Sequence, residues 1–116
     1  MKLKLSILFI VVAGVALSLT AKKTDTIASW YDVEGQVCAS RDYPIGEWLR
    51  VSSGRTWENV QVIERGPSLE LYNQGRHLDL SKTAFAKLSD LRVGLIQVTV
   101  EDAGTVHPVD PDSTER

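Results

Sequence analysis

The sequence contains a single cysteine, Cys38, so no disulfide can form within the chain. A small domain without a disulfide has to be held together by the packing of its core. The neighbours of Cys38 are Val37 and Ala39, and an unpaired cysteine among small apolar residues usually acts as a buried hydrophobic residue rather than a reactive thiol. We therefore expect Cys38 to be buried and unpaired.

Several signatures of ligand binding are also missing. The two histidines, the cysteine and the acidic residues show no metal-ligand spacing, and there is no glycine-rich loop of the phosphate-binding kind. The 13 lysines and arginines stand against 15 acidic residues without forming a basic stripe, which argues against nucleic-acid binding. The sequence therefore predicts no metal, no cofactor and no nucleic-acid partner.

One long apolar run is present, near the N-terminus, and it is too short to span a bilayer comfortably. It covers residues 5–19, about 15 residues against the roughly 18 to 20 that a spanning helix needs. Two lysines precede it and small residues follow, which is the layout of a secretory signal peptide. An uncleaved anchor is the alternative, because Lys22 and Lys23 would suit a membrane boundary. Either way, residues 1–21 predict export to the periplasm, cell envelope or exterior, with membrane contact only through this segment.

The rest of the chain shows short strand patterns, closely spaced turn signals and one brief helix. Strands are predicted at residues 26–31, 37–40, 47–52, 56–64, 77–80 and 95–101. Ser81 is predicted to cap the N-terminus of a helix at residues 82–88. Such strands favour a small closed barrel, because closure removes exposed strand edges. Residues 102–116 hold four acidic residues and one basic residue without periodicity, and we expect a disordered acidic tail there.

The most informative stretch covers residues 60–81 and carries a carboxylate on each of two short strands. The first strand ends at Glu64, the chain turns at Gly66-Pro67 and crosses a stretch predicted to be irregular, and the second strand contains Asp79. If the valines of the first strand point into the barrel, Glu64 lies in line with them at the barrel's end. Two carboxylates that converge on a groove often transfer protons.

The same stretch resembles a known family. The letters ERGP at residues 64–67 and GRHLDLS at residues 75–81 are similar to two signature motifs of rare lipoprotein A-like double-psi β-barrel domains. Further matches to the family's order of segments are found at residues 28–31, 39–46 and 93–94. The resemblance covers about residues 26–101. It implies a mainly β fold, a small six-stranded double-psi β-barrel with one short helix, which we place at residues 24–101.

Domains of this family are septal peptidoglycan lytic transglycosylases or their relatives, and expansins share the barrel. The resemblance therefore implies an exported monomer that acts on peptidoglycan glycan strands and leaves 1,6-anhydromuramic products. Asp79 matches the aspartate of the family's aspartate-leucine-serine motif, and Glu64 falls on the acidic position before arginine-glycine-proline. These two residues are the catalytic candidates. The substrate-binding candidates are Tyr31, Ser40, Arg65 and His77.

Two departures from the family pattern leave other functions open. The family has asparagine-aspartate where this chain has Ile63-Glu64, and histidine where this chain has Ser40. A longer side chain displaces a proton donor, and serine cannot titrate as histidine does. The alternatives are a non-catalytic glycan-binding or expansin-like wall-loosening barrel, and a purely structural barrel in which Asp79 and Glu64 only hold turns.

Overall fold

A computed structural model describes residues 22–109, which form one small β-barrel. The strands are β1 (Lys23–Tyr31), β2 (Val37–Ser40), β3 (Trp48–Ser53), β4 (Thr56–Glu64), β5 (Arg76–Ser81) and β6 (Ile96–Gly104). The described helices are α1 (Leu69–Asn73), α2 (Lys82–Leu88) and a short 3-10 turn at Leu91–Val93. The predicted signal peptide or anchor lies outside the described residues, as do residues 110–116 of the predicted tail.

The six strands close on themselves in the order β1-β5-β2-β4-β3-β6. Strand β1 runs parallel to β5 and β2 runs parallel to β4, while the other neighbouring pairs are antiparallel. Sequence neighbours are thus interleaved in the barrel wall, with β5 inserted between β1 and β2. This is a mainly β, six-stranded double-psi barrel, and the predicted fold class is confirmed.

The core fills the barrel interior with small and branched apolar side chains. Its members are Ala28, Cys38, Leu49, Val51, Val60, Val62, Leu78, Leu80, Val98 and Val100, joined by Ala84 and Phe85 from α2. Helix α2 begins where Ser81 Oγ accepts a hydrogen bond from the Ala84 amide at 3.0 Å, so the predicted cap is confirmed. Cys38 is fully buried and free, and burial raises the pKa of its thiol to about 12.

Three segments differ from the prediction. Strand β1 begins at Lys23, three residues before its predicted start. The stretch predicted to be irregular contains helix α1, which begins where Ser68 Oγ accepts from the Leu71 amide. Strand β6 continues to Gly104, three residues into the predicted tail, because it stays paired there with the start of β3. None of the described helices has the length and apolar character needed to cross a membrane.

Candidate functional site

Asp79 lies on the outer face of the barrel wall, in the middle of β5. Its neighbours Leu78 and Leu80 are buried in the core, and alternation along the strand therefore turns Asp79 outward. It pairs with Ser29 of β1 on one side and with Ala39 of β2 on the other. Ser29 Oγ donates a hydrogen bond to Asp79 Oδ1 at 3.0 Å, which orients the half-buried carboxyl group.

Glu64 reaches the same face through an irregularity in β4. Cys38 of β2 pairs with Val62 of β4. The next residue of β2, Ala39, pairs with Glu64, so the pairing skips one residue of β4. The predicted alignment of Glu64 with the inward valines is therefore wrong: Val62 is fully buried, whereas Glu64 is exposed. A bulge re-aims the side chains beyond it. Ala39 thus separates the two carboxylates, and two strand spacings put the Cα atoms of Glu64 and Asp79 roughly 10 Å apart.

A second irregularity brings Arg76 to this face. Strand β1 advances from Ile27 to Ala28 while β5 advances from Arg76 to Leu78. Ala28 points into the core, so its neighbour Ile27 points outward. Arg76 pairs with Ile27 and therefore lies on the outer face with Asp79, although Leu78, two residues later, points into the core. The positive charge of Arg76 acts to lower the pKa of Asp79, against the effect of burial.

The net effect of these surroundings is to raise the pKa of Asp79 above the ordinary aspartate value. Burial of the carboxyl group is the largest cause, and the negative charge of Glu64 adds to it. The hydrogen bond from Ser29 and the charge of Arg76 act in the opposite direction because they stabilise the carboxylate. Asp79 therefore keeps its proton to a higher pH than an exposed aspartate, as a proton donor requires.

Tyr31 completes the cluster at the end of β1. Burial and then the nearby Glu64 carboxylate raise the pKa of its hydroxyl well above the usual range. Asp79 also contributes to this shift, so Tyr31 lies near both acids. Its buried hydroxyl makes no hydrogen bond of good geometry within residues 22–109, so its proximity to Glu64 falls short of a formed bond. A protonated phenol in this position is an available donor.

Ser40 does not join the carboxylates. It is buried, one residue beyond Ala39 and on the opposite face of β2. Its hydroxyl oxygen accepts from the amides of Asp42 and Tyr43 at 3.1 and 3.3 Å, so the side chain holds the turn that follows β2.

His77 and Arg65 differ in their contacts. The ring of His77 stacks on Tyr72 of α1 with 4.1 Å between centroids, and its Nδ1 lies 3.8 Å from Asp42 Oδ2. Tyr72 donates its hydroxyl proton to the other oxygen of Asp42, so His77 belongs to a cluster that holds α1 against β5. Arg65 is exposed beside Glu64 and has no hydrogen bond or ion pair within the described part of the chain.

The structure therefore assembles Asp79, Glu64 and Tyr31, and adds two residues that sequence reasoning missed. Ser29 and Arg76 both lie inside the motifs used for the resemblance, which was the available signal. Alternation alone could not find Arg76, because the bulge in β5 reverses its direction. In residues 22–109, no group of three or more histidine, cysteine or acidic side chains could hold a metal ion.

Comparison with known proteins identifies the family. A family model described as lytic transglycolase matches residues 22–100. No protein of curated function shows significant similarity to the chain. The resemblance drawn from the motifs is confirmed by the family match.

Solved structures with the same barrel include an expansin from Clavibacter michiganensis. A mutant form in complex with cellohexaose has a TM-score of 0.61 at 21% identity, covering 76% of this chain and 54% of that one. The apo form has a TM-score of 0.61 at 21% identity, covering 75% and 53%. A Streptomyces papain inhibitor has a TM-score of 0.55 at 21% identity, covering 70% and 94%. At this identity the likeness concerns the fold alone, and this chain spans about half the length of the expansin.

Proposed function

Because this chain belongs to the lytic transglycolase family of double-psi β-barrels, we propose that it is exported and acts on peptidoglycan glycan strands as an endolytic lytic transglycosylase. The observation that carries the proposal is the environment of Asp79. Its carboxyl group is half-buried on an outer face, burial raises its pKa, and Ser29 fixes one of its oxygens. Carboxyl groups with these properties serve as general acids in glycoside cleavage.

In the first step, Asp79 donates its proton to the glycosidic oxygen between muramic acid and glucosamine. The bond from that oxygen to the anomeric carbon of muramic acid breaks, and glucosamine leaves as an alcohol. The anomeric centre gains positive charge as the bond lengthens. The raised pKa of Asp79 favours this step, because the group keeps its proton to a higher pH than an exposed aspartate does.

In the second step, the Asp79 carboxylate accepts the proton of the 6-hydroxyl group on the same muramic acid. The hydroxyl oxygen bonds to the anomeric carbon and closes the 1,6-anhydro ring. The proton lost in the first step is thereby regained, and no water is consumed. Ser29 donates to Asp79 Oδ1 and so stabilises the carboxylate between the two steps.

Glu64 and Tyr31 support the charge that develops during cleavage. A spacing of roughly 10 Å between the Cα atoms of the two acids gives room for a sugar ring between their side chains. A negative charge on Glu64 would stabilise the positive anomeric centre. Tyr31 is a buried donor beside Glu64, and we assign it the role of orienting that side chain. Arg65 is exposed and unpaired among the described residues, and we assign it a contact with the glycan strand.

The structural alternative for Asp79 has little support. A capping aspartate accepts hydrogen bonds from backbone amides. Within residues 22–109 the hydrogen-bond partner of Asp79 is the Ser29 side chain, and its oxygens accept from no backbone amide. The adjacent turn into α2 is capped by Ser81 instead.

A direct assay tests the proposal. Purified protein is incubated with peptidoglycan sacculi, both intact and stripped of stem peptides, and the soluble products are separated and weighed by mass spectrometry. Products that carry a 1,6-anhydromuramic end, lighter by one water than hydrolysis products, support the lytic assignment. Hydrolysed ends, or no release over the time in which an active lytic enzyme digests the sample, contradict it.

A second candidate is a glycan-binding or expansin-like barrel without lytic activity. Two observations favour it: a longer, exposed Glu64 occupies the family's aspartate position, and Ser40, which stands where the family has histidine, holds a turn. The barrel it shares with an expansin solved in complex with cellohexaose agrees with a glycan ligand. Retention on sacculi without anhydro products in the same assay would favour this candidate.

A further inference from the structure

Two buried polar atoms at the candidate site have no hydrogen-bond partner within the described residues. They are the hydroxyl oxygen of Tyr31 and Nε of Arg76. Buried donors are nearly always paired, since an unpaired one loses the hydrogen bonds that water would supply. Tyr31 lies two residues beyond Ser29, the β1 partner of Asp79, and Arg76 lies three residues before Asp79 on the same face of β5. Unpaired donors on both sides of Asp79 indicate an oxygen-rich ligand.

The charge of Arg76 is also uncommitted. Its guanidinium group is close enough to influence Asp79, yet it forms no ion pair with Asp79 or any other acid in residues 22–109. The fixed positive charge of an arginine, combined with its planar set of donors, suits a carboxylate better than a neutral hydroxyl group.

The backbone around Arg76 is fixed rather than free to reorganise. Thr26 Oγ1 donates to the carbonyl oxygen of Gly75 at 3.1 Å and accepts from the amide of His77 at 3.2 Å. Gly75 itself has φ of 95°, which favours glycine. These contacts hold the bulge that turns Arg76 outward, so its side chain starts from a defined position beside Asp79.

We propose that Arg76 is a specificity-determining residue of the site, which binds a carboxylate of the glycan ligand and so selects acidic over neutral glycans. This inference rests on the proposed function in that it takes the ligand to be a peptidoglycan glycan strand. Two sources supply the carboxylate in such a strand. One is the lactyl group of muramic acid where the stem peptide has been removed, and the other is the stem peptide itself.

Binding measurements test the proposal without any need for turnover. Three soluble ligands of matched length are titrated: a neutral chitin oligosaccharide, a peptidoglycan oligosaccharide stripped of stem peptides, and one that retains them. Titrations are short and cold, and mass spectrometry confirms that each ligand stays uncleaved. The proteins are the wild type, Arg76→Gln, Arg76→Lys and Arg55→Gln, an exposed arginine in the β3–β4 turn that serves as the matched control.

We expect the wild type and Arg55→Gln to bind one of the acidic ligands about tenfold more tightly than the neutral ligand, as one charge-assisted hydrogen-bonded contact would give. Arg76→Gln should lose this preference without weaker binding of the neutral ligand, and Arg76→Lys should keep part of it. The preference should shrink as salt is added. The acidic ligand that shows the effect identifies the source of the carboxylate.

Equal weakening of all three ligands by Arg76→Gln, or no preference in the wild type, would overturn the proposal. If Arg76→Gln does not fold, the wild-type preference and its salt dependence together with Arg76→Lys still decide. Failure of the lytic assignment would look different. A wild type that discriminates between the ligands but releases no anhydro product would contradict the lytic assignment and leave the role of Arg76 intact.

Discussion

Asp79 and Glu58 are two carboxyl groups with raised pKa values on opposite faces of the same barrel wall. Asp79 lies on the outer face of β5 and is partly open to solvent. Glu58 of β4 pairs with the core residue Val51, points into the barrel and is 3% exposed. Burial is the largest cause of the shift in both cases.

Their partners differ in kind. Asp79 is held by a hydroxyl donor and lies near a free arginine, which are groups that stabilise its carboxylate. Glu58 accepts one hydrogen bond on Oε1, from Gln36 Nε2 at 2.8 Å, and its pKa rises to about 7 despite this bond and the charge of Lys87. Its other oxygen, and the amide oxygen of Gln36, have no partner within residues 22–109. Both of these unpaired oxygens are hydrogen-bond acceptors, and a proton on Glu58 Oε2 would turn one of them into a donor.

This difference shows that a raised pKa does not by itself mark a catalytic acid. Glu58 has a raised pKa and is sealed within the barrel, where no glycan strand can reach it. Asp79 combines a raised pKa with access and with donors for its charged form. We therefore treat Glu58 as a structural acid whose effect is on stability, and Asp79 as the functional one.

The largest effect expected from this distinction is on catalysis. Asp79→Asn should lower the release of anhydro products by about 10³-fold, because an amide of the same shape can neither donate nor recover the proton. Its thermal midpoint should stay close to that of the wild type. Glu58→Gln should keep its activity, and Asp32→Asn, at an exposed aspartate outside the site, is the matched control. Full activity in Asp79→Asn would show that Asp79 is not the general acid.

The next effect concerns stability and pH. The pKa of Glu58 is raised in the folded state, from 4.5 to about 7, so the folded protein holds this proton more tightly than the unfolded chain. Its contribution is complete below pH 4.5 and is lost as the pH rises through about 7. Relative to Glu58→Gln, the wild type should lose on the order of 3 kcal/mol of unfolding free energy across this range.

Urea unfolding of both proteins at pH 4.5 and at pH 8 measures this difference directly. Asp79 is present in both proteins, so its contribution to the pH dependence largely cancels in the comparison. A constant gap between the two proteins would show that Glu58 is not the titrating group.

A smaller effect is expected at the hydroxyl that holds Asp79. Ser29→Ala removes the hydrogen bond to Asp79 Oδ1, which favours the carboxylate, so the pKa of Asp79 should rise further. Activity should fall about tenfold, because the carboxylate formed after the first step is less stable and less well oriented. Carboxyl-carbon NMR titration of Asp79 reports the pKa. An unchanged pKa with reduced activity would indicate that Ser29 acts through packing alone.

The smallest expected effect concerns Cys38, whose thiol should not react with a thiol reagent in the folded protein. This thiol shares the sealed interior with Glu58, and burial raises its pKa to about 12. A thiol reagent at pH 8 should leave it unmodified under native conditions and label it after denaturation. Arg55→Cys provides an exposed thiol for comparison in the same experiment. Fast native labelling of Cys38 would mean that the interior opens to solvent.

Much of the fold could be predicted from local patterns. Strands β2 and β4 and helix α2 match their predicted limits, because alternation and the Ser81 cap are encoded within a few residues. Helix α1 could not be predicted in this way. Five residues cannot sustain a helix alone, and α1 depends on its packing against β5.

The sequence by itself determined the barrel family and singled out Asp79 and Glu64, because strand periodicity and the two motifs are properties of contiguous residues. Only the tertiary structure decided what surrounds these acids. Two register irregularities, each defined against a partner strand, turn Glu64 and Arg76 to the face of Asp79. By contrast, Glu58 points inward with Val60 and Val62 through the regular alternation of β4. A one-residue bulge reverses side-chain direction, so the side of the wall on which a charge lies depends on contacts between distant segments.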